Sequence, residues 1–274
     1  NQQQEIERNN AGFWHELCGT ALAQSLGITE VTPESLERFD QAYFGYYPYL
    51  SEYVLKEKLG GKKVLEIGLG YGTLGALIAR QNCDYFGLDI AHGPSRMMQY
   101  RLALLDLKDS IRTGQGSALA LPFANEYFDY VYTIGCLHHT GNLSLSVQEV
   151  HRVIKPGGKA IVMLYNRYSF RQIIYVRLMR IRDSLRGMYK KEDFHTRVRS
   201  LYDSISTGEA APFTEYVSLA QVKSLFQAFS HAQIDIQNFD DYMFAGGLIS
   251  IQRKWFLSNL ARFLGLDLYI TASK

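Results

Sequence analysis

Three glycines at alternate positions, Gly68, Gly70 and Gly72, follow directly on an apolar run in "KVLEIGLGYGTLGALIA", residues 63–79. Glycine lets a backbone approach a ligand closely and exposes the amides of a helix that follows. Three ligand chemistries use such a loop: a nucleoside triphosphate, a dinucleotide and a sulfonium nucleoside. A triphosphate loop needs GxxxxGK[ST], with a lysine on the phosphates, and no lysine stands in this loop. A dinucleotide loop begins GxGxxG where the strand ends. The strand here ends at Ile67, so the frame reads Gly68, Gly70 and then Thr73 in place of the third glycine. The shifted frame "GYGTLG" begins three residues past the strand. Glu66, just before the turn, would repel a pyrophosphate and tolerate a cation. A sulfonium nucleoside is a cation without phosphate, and it fits best.

The stretch "LEIGLGYG" resembles the first motif of the class I S-adenosylmethionine (SAM)-dependent methyltransferases, an acid followed by GxGxG. The resemblance runs on through "GSALALPFANEYFDYVYTIGCLHHTGN" and closes with "EVHRVIKPGGKAIVMLY", which is similar to that family's RVLKPGG turn before the fifth strand. It covers residues 62–165 and is closest to the ubiquinone and menaquinone methyltransferase type. It implies SAM as cofactor, held near Glu66, Gly68, Gly70 and Gly72. Asp89, at the end of the second strand, would accept both ribose hydroxyls. Ser117, or the backbone of Ala118, would meet the adenine. Ser117 stands where the family often has Asp. Gly135 would line the cofactor site after the fourth strand.

His138, His139 and Tyr165 are the candidate catalytic residues. The two histidines follow the fourth strand, and one could act as a general base near neutral pH or simply hold the turn. Tyr165 and Asn166 end the fifth strand, at the carboxyl edge where open α/β sheets bind ligands. Adjacent histidines are poorly placed to chelate one ion, and no further ligand spacing accompanies them, so no metal is expected.

The elements that must position these groups alternate from residue 62 onward. Strands are predicted at "KVLEI", "DYFGLD", "FDYVYTIG", "GKAIVMLY", "AQIDIQNF" and "LYITASK", with another short strand or loop at 112–117. Crossover-length connections predict an α/β fold: a doubly wound, Rossmann-like, mostly parallel sheet of seven strands, the last one antiparallel. Residues 1–60 read as an N-terminal helical cap, 61–166 as the cofactor-binding core, 167–217 as a helical insertion and 218–274 as the completion of the sheet. Thr32, Pro33 and Glu34 predict a helix start, as does Ser218 with Gln221. A last helix is predicted near 252–264. Between 167 and 199 stand ten Arg or Lys against three acids. With the aromatic stretch 43–53, the insertion is expected to cover the acceptor. Inward arginines would mean an anionic acceptor, whereas outward ones would make salt matter little.

The composition, 47% apolar and 20% charged, is that of a globular chain. A net charge of +2 gives no support for nucleic-acid binding. Three widely spaced cysteines without a CxxC fit a reducing, cytoplasmic setting. The longest apolar run, near "MFAGGLISI", is short of the ~20 residues of a spanning helix, so any membrane contact is expected to be peripheral. The expected function is methyl transfer from SAM to an O, N or S nucleophile of a small molecule in an enclosed pocket. A nucleic-acid methyltransferase of the amino-methylating kind would carry an NPPY-type motif after the fourth strand, where "GCLHHTGN" stands. A protein methyltransferase and a catalytically silent relative would use the same fold. A dinucleotide oxidoreductase is disfavoured, because the shifted glycine frame begins past the strand end. The sequence leaves the oligomeric state open.

Overall fold

The computed structural model describes residues 2–107, 112–244 and 248–274. Of the apolar run at 243–251, residues 245–247 lie outside the described residues. A seven-stranded sheet organises the chain. Its strands are β1 (Lys63–Ile67), β2 (Asp84–Asp89), β3 (Thr113–Gln115), β4 (Phe128–Ile134), β5 (Ile154–Tyr165), β6 (His231–Gln237) and β9 (Asp267–Ser273), in the order β3-β2-β1-β4-β5-β9-β6. A separate hairpin pairs β7 (Tyr242–Phe244) with β8 (Ile249–Ile251). The pairings β1·β2, β1·β4, β2·β3 and β4·β5 are parallel. The last strand, β9, is the reversed one, antiparallel to both β5 and β6, and lies between them. It is therefore internal, and β6 forms the edge.

The central strands bury both faces, as parallel sheets must. On β5, Ala160, Val162 and Leu164 enter one apolar cluster with α7 (Leu143–Val153) and α10 (Leu219–Leu225), while Ile161, Met163 and Tyr165 enter the other. That second cluster takes in α4 (Glu52–Leu55), α5 (Thr73–Ala79) and α6 (His92–Leu104).

Before the sheet stand α1 (Gln2–Phe13), α2 (Thr20–Ser25) and α3 (Pro33–Tyr46). Thr32 caps α3 with Pro33 in the first turn, and Ser35 closes the capping box. Ser218 and Gln221 make the same box on α10. The insertion holds a π-turn (Arg171–Tyr175) running into α8 (Val176–Leu185), then α9 (Lys191–Ser200). It returns to the sheet through a bridge between Asn166 and Val217. The helix predicted near 252–264 is broken into a 3-10 turn (Arg253–Trp255) and α11 (Ala261–Leu264). Arg253 explains the break. Its buried guanidinium donates to the Phe239 carbonyl at 2.7 Å and lies 3.9 Å over the Tyr46 ring, so tertiary anchoring overrides helix propensity. No helix among the described residues is long and apolar enough to cross a membrane.

Candidate active site

A cleft open to solvent lies beyond the carboxyl ends of β1, β2, β3 and β4. Strand order reverses between β1 and β4, and ligands of open α/β sheets bind at such a point. Glu66, Gly68, Gly70, Gly72, Asp89, Ser117, Ala118 and Gly135 all line it, and so does His139. His138 and Tyr165 do not.

The three loop glycines all have positive φ, +83° at Gly68, +49° at Gly70 and +76° at Gly72. Space constrains them differently. A Cβ on Gly68 would lie 2.6 Å from Cys136 Cβ, and one on Gly72 would lie 2.8 Å from Arg101 Cδ. Those two positions thus let the loop pack against β4's turn and against α6. A Cβ on Gly70 would meet only Cys18, at 3.5 Å, across the cleft wall.

Asp89 is buried and works as a clasp. Its Oδ2 accepts from the Leu69 amide and its Oδ1 from the Ala91 amide, both at 2.8 Å. Each oxygen retains a lone pair, so the carboxylate can still take a diol. Burial pushes its pKa up to about 6, opposed by the backbone amides. Glu66 projects from β1 toward α5, where its Oε2 accepts from the Tyr85 hydroxyl. Burial raises it to about 8, so at neutral pH it does not present the full negative charge expected from the sequence. Gly75 makes room for this pair: a Cβ there would lie 2.4 Å from Glu66 Oε2 and 2.6 Å from the Tyr85 hydroxyl. Gly75→Val should therefore cost about 1–3 kcal/mol of overpacking, read as a fall in Tm; an unchanged Tm would show that the pocket around Glu66 yields freely.

Two residues far apart in sequence hold the loop from below. Arg101 donates from Nε to the Tyr71 carbonyl at 2.7 Å and forms a two-pronged pair with Asp40 at 2.8 and 2.9 Å. Thr73 donates to the same Asp40 at 2.6 Å. No sequence signal marks this pairing, since Arg101 reads as one more charge on an ordinary helix.

The roof also differs from expectation. No residue of 167–217 lines the cleft; Glu7, Asn10 and Trp14 of α1 and the turn after it do, with Cys18 and Tyr43. Asn10 donates to the His139 carbonyl and Gln3 to the Thr140 carbonyl, both at 2.7 Å. Ser117, expected at the adenine, hydrogen-bonds Glu7. Helix α1 thus bridges the loop after β3 and the turn after β4.

The insertion instead backs the histidines. His139 Nδ1 lies 2.7 Å from the Phe213 carbonyl, and a carbonyl only accepts, so Nδ1 carries the proton. Nε2 lies 3.4 Å from Asp203 Oδ2, off the line of a good hydrogen bond, and has no other partner. Tyr165 donates to that same Asp203 oxygen at 2.9 Å. Its phenol is pushed well above its ordinary pKa by burial, so it stays protonated and positions Asp203. His138 is buried with its ring 4.1 Å from that of Tyr165. Burial and then the neighbouring His139 lower it well below the usual histidine range, so it packs as a neutral ring. Of the ten basic side chains in the insertion, only Arg171 is buried, and it pairs with Asp240. The expectation of an anionic acceptor thus finds no free inward cation among the described residues of the insertion.

Residues 65–162 match the family described as methyltransferase domain. The core of this chain is a class I SAM-dependent methyltransferase domain. SAM is the cofactor of that domain. The chain is 31% identical over 106 residues to a demethylmenaquinone methyltransferase of Symbiobacterium thermophilum, covering 38% of this chain and 42% of that one. It is 27% identical over 168 residues to a ubiquinone biosynthesis O-methyltransferase of Psychrobacter cryohalolentis, covering 60% and 63%. The chain therefore spans less than two thirds of either relative. The YcgJ protein of Bacillus subtilis shares the methyltransferase fold, with a TM-score of 0.54 at 17% identity over 84% of this chain and 98% of that one. The cleft suits the cofactor: it offers a glycine-bent backbone, and a carboxylate with spare acceptor capacity at the end of β2. No group of three or more His, Cys, Asp or Glu able to hold a metal ion occurs among the described residues.

Proposed function

We propose that this protein methylates an oxygen, nitrogen or sulfur nucleophile of a small molecule, with SAM as donor. The observation that carries the reading is the roofed cleft. Helix α1 crosses it between Ser117 and the His139 turn, which narrows the approach and favours a small acceptor. SAM supplies an electrophilic methyl group on a sulfonium centre. The chain's own contribution is positioning and proton handling. The loop backbone at 68–72 and the Asp89 carboxylate hold the nucleoside, with the loop after β3 at its base. His139 takes the acceptor's proton on Nε2. Its tautomer is set by Phe213, and the imidazolium formed sits beside the Asp203 carboxylate, which Tyr165 holds in place. The relatives named for quinone methylation support a small acceptor of this kind.

Calorimetry tests the cofactor. SAM and S-adenosylhomocysteine should bind one to one and NADH should not; NADH binding without SAM binding would return the oxidoreductase reading. Transfer of labelled methyl to small phenols, amines and thiols, but not to bulk RNA or protein, tests the acceptor class. Labelling of RNA or protein alone would overturn it. Because no basic side chain of the insertion lines the cleft, raising salt should leave KM nearly unchanged.

A further inference from the structure

Helix α8 turns its apolar side to water. Successive helical residues are 100° apart, so Val176, Met179 and Asp183 share the side packed on the protein. The opposite pole carries Leu178, Ile181 and Leu185, which are 47%, 56% and 83% exposed. Ile174 and Met188, 39% and 55% exposed, extend that stripe at either end. An ordinary surface helix puts charge at its outward pole. Here the charge flanks it: Arg177 and Arg180 on one side, Arg182 and Arg186 on the other, all exposed. Lys190 and Lys191 follow, and Asp183 is the one acid between 174 and 191. Asp183 is itself buried between Arg182 and Arg197.

We propose that α8 docks this protein on an anionic lipid surface. Its apolar stripe enters the headgroup boundary, and the flanking guanidiniums reach lipid phosphates. An exposed apolar stripe between basic flanks is the pattern of a helix lying in a membrane interface. Long arginine stems keep their charge at the phosphates while the stripe sinks past them. Charge disfavours a second copy of the same face, since pairing would bring two sets of arginines together with no exposed acid between 174 and 191 to meet them. The helix leaves the carboxyl end of β5 through residues 166–175, so the docking face lies at the end of the sheet that bears the cleft. The inference goes beyond methyl transfer, and its test needs no turnover.

Flotation with vesicles of phosphatidylcholine alone, and of phosphatidylcholine mixed with phosphatidylglycerol, provides the test. The protein should float with the mixed vesicles, less so as salt rises, and not with phosphatidylcholine alone. Ile181→Glu with Leu185→Glu should lower partitioning at least about tenfold, because two large apolar side chains no longer bury. Both sites are exposed, so Tm should not move. If the double variant misfolds, Leu185→Ser gives the same readout at the most exposed position. Absence of binding to the mixed vesicles would overturn the proposal. So would full binding by a folded variant, equal binding to neutral vesicles, or a wild-type dimer that the substitutions dissociate without any vesicle binding.

Discussion

His139→Gln is expected to lower kcat by about 10²–10⁴-fold, the usual contribution of a positioned general base, while SAM affinity stays within a few-fold. The imidazole is the one among the described residues that lines the cleft. Its proton-bearing nitrogen is committed to Phe213, so Nε2, buried beside Asp203, is the nitrogen that can take up a proton. Glutamine can keep one hydrogen bond of the ring but cannot take up a proton. Asp203→Asn should give a smaller loss in the same direction, because it removes the charge that favours the imidazolium. A His139→Gln enzyme with full kcat would mean that the acceptor arrives as a ready nucleophile and that His139 only shapes the turn.

Asp89→Ala is expected to weaken SAM binding by at least about 100-fold. A charge-assisted hydrogen bond contributes ~1.5–3 kcal/mol, and tenfold in affinity is about 1.4 kcal/mol. Two further losses add to the ribose contact, because the Leu69 and Ala91 amides are left without their acceptor. An analogue lacking both ribose hydroxyls should lose less affinity on the same substitution; equal losses would remove Asp89 from the ribose and leave it as a clasp alone. The same group sets a pH window. Its folded-state pKa, about 6, lies above the ordinary 3.8. Protonation therefore favours the folded state, a contribution fully present below about pH 4 and lost as pH rises through 6. Asp267 and Glu66, raised to about 7 and 8 by burial, act in the same direction. The protein without cofactor should be more stable near pH 5 than near pH 8. Affinity for a cation should run the other way, falling as Asp89 protonates below about pH 6, and Asp89→Asn should flatten that step.

The sheet was legible because its signals are local. Six of the seven strands are apolar or alternating runs between turn residues, and the glycine loop and Asp89 sit where strands end. The rest was hidden for definite reasons. The Asp40–Arg101 pair joins residues 61 positions apart, and nothing in either helix marks the other. His138 and His139 look equivalent in sequence. The turn after β4 is a 3-10 helix, in which neighbours point about 120° apart, so one ring enters the core and the other the cleft wall. The insertion's length and its place after β5 predict a cover, yet none of its residues lines the cleft, and what it brings to the site is Asp203 and the Phe213 carbonyl beside His139. Within the expected N-terminal cap nothing in the sequence singles out α1 as the roof, because it is polar and lacks an apolar stripe, the usual mark of a helix that packs.

That polarity gives α1 a standing different from the rest of the chain. Only Asn10 and Phe13 of its twelve residues are buried, and its ties to the cleft rim include hydrogen bonds that Gln3 and Asn10 donate and one that Glu7 accepts. Hydrogen bonds of this kind contribute about 0.5–1.5 kcal/mol each, and segments with few buried apolar contacts open at far less than the global unfolding energy. The floor of the cleft belongs to the most protected part of the molecule, the internal strands β1 and β4. Its roof belongs to the part that opens most cheaply. Amide exchange should therefore report two clocks at one site, a slow one on the strands and a fast one on α1.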